Sequence, residues 1–163
     1  METTRHFTSS VYVVNDGATA LHHHERIGLW LPPGGHIDRD ELPIEAAKRE
    51  VEEEIGQSVT IPGDEQESVG PSSYELPEPA HLNLHDIHHY DDGSVGHQHI
   101  DFLYYGAVEH RTIDPQDGER NDTHWEWFDH DDLVQDDRLT PEVSKFGREA
   151  IDAIEAADLD ELV

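Results

Sequence analysis

Hydrophobic positions along the chain gather in short periodic runs separated by turn residues, and each run predicts an element. Residues 8 to 14 and 18 to 24 read as two strands around the turn signal Asn15-Asp16-Gly17, the first rich in Val and Tyr. Gly28-Leu29-Trp30-Leu31 then runs into Pro32-Pro33-Gly34-Gly35, where two prolines stop a strand and two glycines permit tight turns. From Pro43 to Ile55 the spacing is helical: Pro43 suits the first turn, Glu41 and Glu45 favour the positive N-terminal end, and Gly56 is a left-handed stop. Residues 57 to 61 predict a further strand and 62 to 80, rich in Pro, Gly, Ser and Glu, a long loop. Leu82 to Tyr90 and His97 to Ala107 alternate like strands around Asp91-Asp92-Gly93-Ser94, a second hairpin. An acidic loop at 114 to 123 leads to a strand at 124 to 128. A final helix from Pro141 to Ala157 follows, with Val143, Phe146, Ile151 and Ile154 as its buried stripe. This order predicts an α/β chain: a mixed sheet covered by helices on both faces, built as a single domain over residues 1 to 163.

Composition changes the picture. Only 34% of residues are hydrophobic, and 38 acidic residues against 10 basic ones give a formal charge of -28. That combination ordinarily signals disorder, but the periodic runs argue for a thin core. Self-repulsion at such a charge is screened in molar salt. With Lys48 and Lys145 as the only lysines, the surface resembles that of proteins from salt-accumulating halophiles. Nucleic-acid polymers and anionic membranes would be repelled. The N-terminus lacks an apolar signal core and no stretch approaches the ~18 apolar residues of a span, so the reading is a soluble cytoplasmic protein. The absence of cysteine excludes disulfides, thiolate zinc sites and a cysteine nucleophile. His22-His23-His24 has no expected role beyond lining a cleft. Trp30, Trp125 and Trp127 are expected in the core rather than as stacking platforms.

The central helix carries the candidate chemistry. At about 100° per residue, Ile44, Ala47, Val51 and Ile55 share one sector while Glu50, Glu53 and Glu54 fill the adjacent one. Three carboxylates beside an apolar stripe sit at the edge of the helix contact, where like charges repel unless a cation binds. Hard carboxylate oxygens suit Mg²⁺ or Mn²⁺. Glu52 points elsewhere and is expected to be dispensable, while Arg49, one turn before Glu53, can fix that carboxylate. A Glu-rich helix in an acidic chain is by itself usually a solvated face, so the wider spacing has to decide.

Gly35, five residues, Glu41, seven residues, Arg49-Glu50-Val51, then Glu53-Glu54 and Gly56 closely resembles the signature box of the Nudix hydrolases. Trp30-Leu31-Pro32-Pro33-Gly34-Gly35 and the late Trp127-Phe128 also look like that family, whereas Gln57 stands where an aliphatic residue is usual. The resemblance implies a three-layer α/β/α sandwich. It implies Mg²⁺-dependent hydrolysis of a phosphoanhydride in a nucleoside-diphosphate-linked small molecule, by attack of a metal-activated water. It makes Glu50, Glu53, Glu54 and the Gly35 carbonyl the metal ligands, with Glu41 and Arg49 bracing them. Glu53, Glu54 and Arg49 form the catalytic set; the general base is Glu54 or Glu53, or Glu119 in the acidic loop. Dimers are common in the family, so a homodimer is compatible with it.

A second cluster comes from the hairpin. A turn centred between Asp92 and Gly96 would set His88 opposite His99 and Asp86 opposite Asp101, either a solvated polar face or a site for a metal or phosphate. Three rival classes can be weighed. An isomerase of the isopentenyl-diphosphate type would call for a catalytic cysteine, and the chain has none. A catalytically silent Nudix-like nucleotide sensor would be favoured by loss of the box carboxylates, which are all present. An acidic cation-binding protein without an active site would bind metal without turnover and without shielded carboxylates.

Overall fold

Asp16 and Gly17 both take positive φ, 46° and 76°, the twist that a two-residue hairpin loop requires. They join β1 (Thr4–Asn15) to β2 (Ala18–His24) as an antiparallel pair with Val14 opposite Thr19. The computed structural model describes residues 2–157; Met1 and residues 158–163 of the expected single domain lie outside the described residues. After β2 come β3 (Leu29–Leu31), β4 (Gly34–His36) and α1 (Pro43–Ile55). Then follow β5 (Glu67–Gly70), β6 (Ser73–Glu75), β7 (His81–His89) and β8 (Val95–Ala107). The chain closes with β9 (Trp125–Asp129), α2 (His130–Gln135) and α3 (Pro141–Ala156).

Seven strands form one mixed sheet in the order β3-β2-β1-β8-β7, with β4 added to β1 and β9 to β2. Its axis is the parallel pairing of β1 with β8, in register from Thr4 opposite His97 to Val14 opposite Ala107. Because side chains alternate across a sheet, Val11 and Val13 of β1 pack with Val51 and Ile55 of α1, while Tyr12 and Val14 pack with Ile151 and Ile154 of α3. The result is the expected helix, sheet, helix layering. Among the described residues no helix is long and apolar enough to cross a membrane.

Two expectations about the irregular stretches are corrected. Residues 57 to 61 do not form a strand: only Thr60 bridges, through paired hydrogen bonds with Ala107, before Pro62-Gly63 turns the chain away. Within the loop 62 to 80, β5 and β6 make a small separate hairpin. Its residues are almost all exposed, so local pairing across the Pro71-Ser72 turn, not burial, is what forms it.

The β7–β8 register is also corrected. His99 lies opposite His85, Asp101 opposite Asn83, Asp86 opposite Gln98 and His88 opposite His97, with irregularities on either side of His88. The turn closes by Tyr90 N–H donating to the Ser94 carbonyl, so its centre lies earlier than the sequence suggested. A slip by an odd number of residues carries side chains to the other face, and the bulges add a second shift.

Candidate active site

Backbone geometry at the start of α1 prepares the site. Pro43 occupies the first turn, the Glu45 carboxylate accepts from the Leu42 N–H at 3.0 Å, and Gly56 (φ 82°) ends the helix. The preceding strand β4 runs antiparallel to β1, placing Gly35 opposite Ser9. A β-carbon at Gly35 would overlap the Glu50 carboxylate, so the loop and the helix approach more closely there than any side chain permits.

Arg49 ties these pieces together. Its guanidinium donates to both oxygens of Glu41 at 2.7 and 2.9 Å, to Glu50 at 2.9 Å, to Glu53 at 3.1 Å and to the His36 carbonyl at 3.0 Å. That contact holds the Glu41 carboxyl below its ordinary range. Five charge-assisted bonds from one planar fork fix the direction of three carboxylates and of the backbone after Gly35.

The three helix carboxylates do not converge equally. Glu50 and Glu54 approach one another, with side chains only 13% and 17% exposed, whereas Glu53 turns toward Arg49 and is 30% exposed. Burial, and then the hydrogen bond and charge of Glu50, push the Glu54 carboxyl far above the usual range, against the opposing pull of a backbone hydrogen bond from Gly34. Glu52 is exposed on another side of the helix, as its sector required.

Glu54 opens onto a cleft of about 370 Å³. One wall is the His22-His23-His24 end of β2 with Trp125 of β9 opposite it; the rim carries Arg26, Arg120 and Glu119. His22 lies 3.9 Å from Glu54 and 4.8 Å, centroid to centroid, from Trp125. Burial, then the neighbouring His24, lower His22 to about 4, so it is neutral at physiological pH. The histidine run thus lines a cleft, as expected. Trp30 is buried as expected, but Trp125 is only partly buried and faces the cavity.

Glu119 reaches the site through hydrogen bonds that sequence spacing does not reveal. The last carbonyls of α1 lack partners within the helix; the Ile55 carbonyl accepts from Asp114 N–H and the Glu53 carbonyl from Gln116 N–H, each at 2.8 Å. Gln57, the departure from the box, continues this lacing. Its amide donates to the carbonyls of His110 and Thr112 and accepts from His110 N–H, so a polar contact replaces apolar packing. The loop so held carries Glu119, whose carboxyl is raised by burial and then by Glu53 and Glu50.

The expected His88, His99, Asp86 and Asp101 cluster does not assemble. Asp86 accepts from Gln98, His88 packs beside Tyr90, and buried Asp101 accepts from the hydroxyls of Thr8 and Ser10. His99 instead gathers with His6 and His36, a group whose ring nitrogens lie within 4.8 Å of one another and which could hold a metal ion. The sequence reading missed His6 and His36 because they come from other strands; the large number of histidines was the only signal.

Comparison with known proteins identifies the family. The profile of the NUDIX domain matches residues 4–150, and the chain belongs to that family. A hydrolase of the NUDIX family from Clostridium perfringens is similar in structure, with a TM-score of 0.76 and 31% identity over 93% of this chain and 99% of that one. A NUDIX hydrolase from Nitrosomonas europaea shares the fold at a TM-score of 0.59 and 18% identity, over 98% of this chain and 97% of that one. An RNA pyrophosphohydrolase from Bartonella clarridgeiae is 32% identical over 108 residues, 64% of this chain and 59% of the relative, so the match spans about three fifths of that protein's length.

Proposed function

We propose that the chain hydrolyses a phosphoanhydride bond in a nucleoside-diphosphate-linked small molecule, in a salt-rich cytoplasm, with Mg²⁺ held by Glu50, Glu53, Glu54 and the Gly35 carbonyl. The observation that carries this reading is the approach of Glu54 to Glu50 at the base of the cleft. Two shielded carboxylates in contact retain a proton unless a cation takes its place. Carboxylate and carbonyl oxygens form the hard donor set that Mg²⁺ or Mn²⁺ accepts, so the residues fit the ion. When bound, the ion supplies positive charge to the phosphoanhydride oxygens and a water of lowered pKa.

The protein's own groups supply the rest. Arg49 holds Glu50 and Glu53 in fixed directions, and Glu41 holds Arg49. Glu54, open to the cleft, takes the proton of the attacking water; Glu53 is the next candidate base, and Glu119 faces both from the rim. Arg26 and Arg120 offer cations for phosphate oxygens, and Trp125 beside His22 offers a flat face for a base. The cleft volume, about 370 Å³, suits a small molecule. A charge of -28 disfavours a long polyanion. The bond type agrees with the name of the Bartonella relative.

The test is hydrolysis of a phosphoanhydride panel in molar KCl with and without Mg²⁺, comparing the natural chain with Glu53→Gln and Glu54→Gln. Turnover that requires Mg²⁺ and falls by roughly 10²-fold or more in folded variants is expected. A folded, Mg²⁺-binding protein with no turnover on any substrate would instead identify a nucleotide-sensing module.

A further inference from the structure

We infer that His6, His36 and His99 form a second metal site, selective for a transition ion such as Zn²⁺, on the face of the sheet opposite the carboxylates. The three come from strands distant in sequence. His6 of β1 is the register partner of His99 on parallel β8, and Thr8, two residues after His6, is the partner of His36 on β4. Alternation along each strand puts all three side chains on the face shared with Tyr12 and Leu103, the α3 side. Gly35, one residue before His36, faces Glu50 and the α1 side.

The ring nitrogens lie within 4.8 Å of one another. Ligands about 2.0–2.1 Å from a tetrahedral zinc stand roughly 3.3 Å apart, and the exposed side chains of His6 and His36 can close that difference by rotation about their side-chain bonds. Imidazole nitrogen suits zinc, nickel and copper, whereas Mg²⁺ takes oxygen, so the donor set itself separates this site from the carboxylates. Two neighbours bear on the site: one supplies negative charge, the other a further imidazole. The buried carboxylate of Asp101 lies two residues beyond His99 on the same face of β8. His97, with its Nδ1 at 2.8 Å from the Thr4 hydroxyl, stands beside both His6 and His99, at centroid separations of 4.7 and 5.1 Å. An ion at this point would cross-link β1, β4 and β8 directly behind the loop that carries Gly35.

The experiment loads the full-length protein with Zn²⁺ in molar KCl and excess Mg²⁺, removes free metal by gel filtration and measures bound zinc. A parallel sample carries Co²⁺ for its visible absorption. One retained zinc per chain is expected, with a tetrahedral-type Co²⁺ band and a raised melting temperature. All three should be lost in His6→Asn, His36→Asn and His99→Asn, and kept in Glu54→Gln and in His22→Asn/His24→Asn. The proposal is overturned by no retained zinc in the natural chain, by unchanged zinc in a folded His6→Asn/His99→Asn variant, or by loss confined to the Glu54 or His22/His24 variants. These readouts are independent of turnover.

Discussion

The carboxylate of Glu50 occupies the space that a side chain at Gly35 would fill, so these two residues set the spacing between the signature loop and the helix behind it. The absence of a Cβ is therefore a requirement of the site. Gly35→Ala is expected to fold, since the overlap is with the end of a flexible side chain, but to turn Glu50 away from Glu54. Steady-state kinetics should show kcat/KM lower by about 10²-fold, the usual cost of misplacing catalytic groups by an ångström. Unchanged kinetics would mean that Glu50 need not sit where it does.

Arg49→Lys keeps the charge and removes the fork. A single ammonium cannot serve Glu41, Glu50, Glu53 and the His36 carbonyl together. Chemical denaturation should register a loss of about 1–3 kcal/mol, accompanied by a fall in kcat. Wild-type kinetics in the lysine variant would show that charge alone suffices.

Gln57→Ala removes three hydrogen bonds that join the end of α1 to residues 110 to 112. A loss of about 1 kcal/mol or somewhat more is expected. Hydrogen exchange should quicken at the backbone amide of His110, which donates to Gln57, and at those of the Asp114 to Glu119 loop. Exchange confined to wild-type rates would assign the loop's order to other contacts.

Arg138 pairs with Asp136 and Glu126 and covers the Trp30 ring at 4.7 Å. Hydrogen bonds from Arg138 lower both carboxyls below their ordinary values. A depressed folded-state pKa gives stability that is present above the unfolded value, near ~4, and lost as pH falls through the folded one. The melting temperatures of the natural chain and Arg138→Gln should therefore differ most near neutrality and draw together as pH drops below about 4. A gap that stays constant with pH would assign the effect to stacking on Trp30.

A formal charge of -28 on 163 residues predicts a steep salt dependence. Thermal unfolding should shift upward continuously from low to molar KCl as the Debye length contracts from about 10 Å at 0.1 M to about 3 Å at 1 M. A melting temperature flat across that range would argue against adaptation to high salt.

What the sequence determined by itself was local. The period of α1, its proline start and glycine stop, and the sector shared by Glu50, Glu53 and Glu54 follow from about 100° per residue, and the structure has them as spacing required. The β1–β2 hairpin was equally legible, because Asn15-Asp16-Gly17 restricts the backbone whatever surrounds it. Tertiary structure decided everything that depends on distant chain segments meeting. It set Gly35 against Glu50, brought Glu41 and the His36 carbonyl onto the Arg49 guanidinium, and carried Glu119 over the cleft by giving the open carbonyls of α1 to the 114–116 backbone. The β7–β8 register was misread because bulges around His88 carry no composition signal and a shift of odd length exchanges the two faces. The histidine group was invisible for a related reason: a parallel pairing between β1 and β8 joins residues more than ninety positions apart, and no periodicity within either strand encodes which residue of the other it will meet.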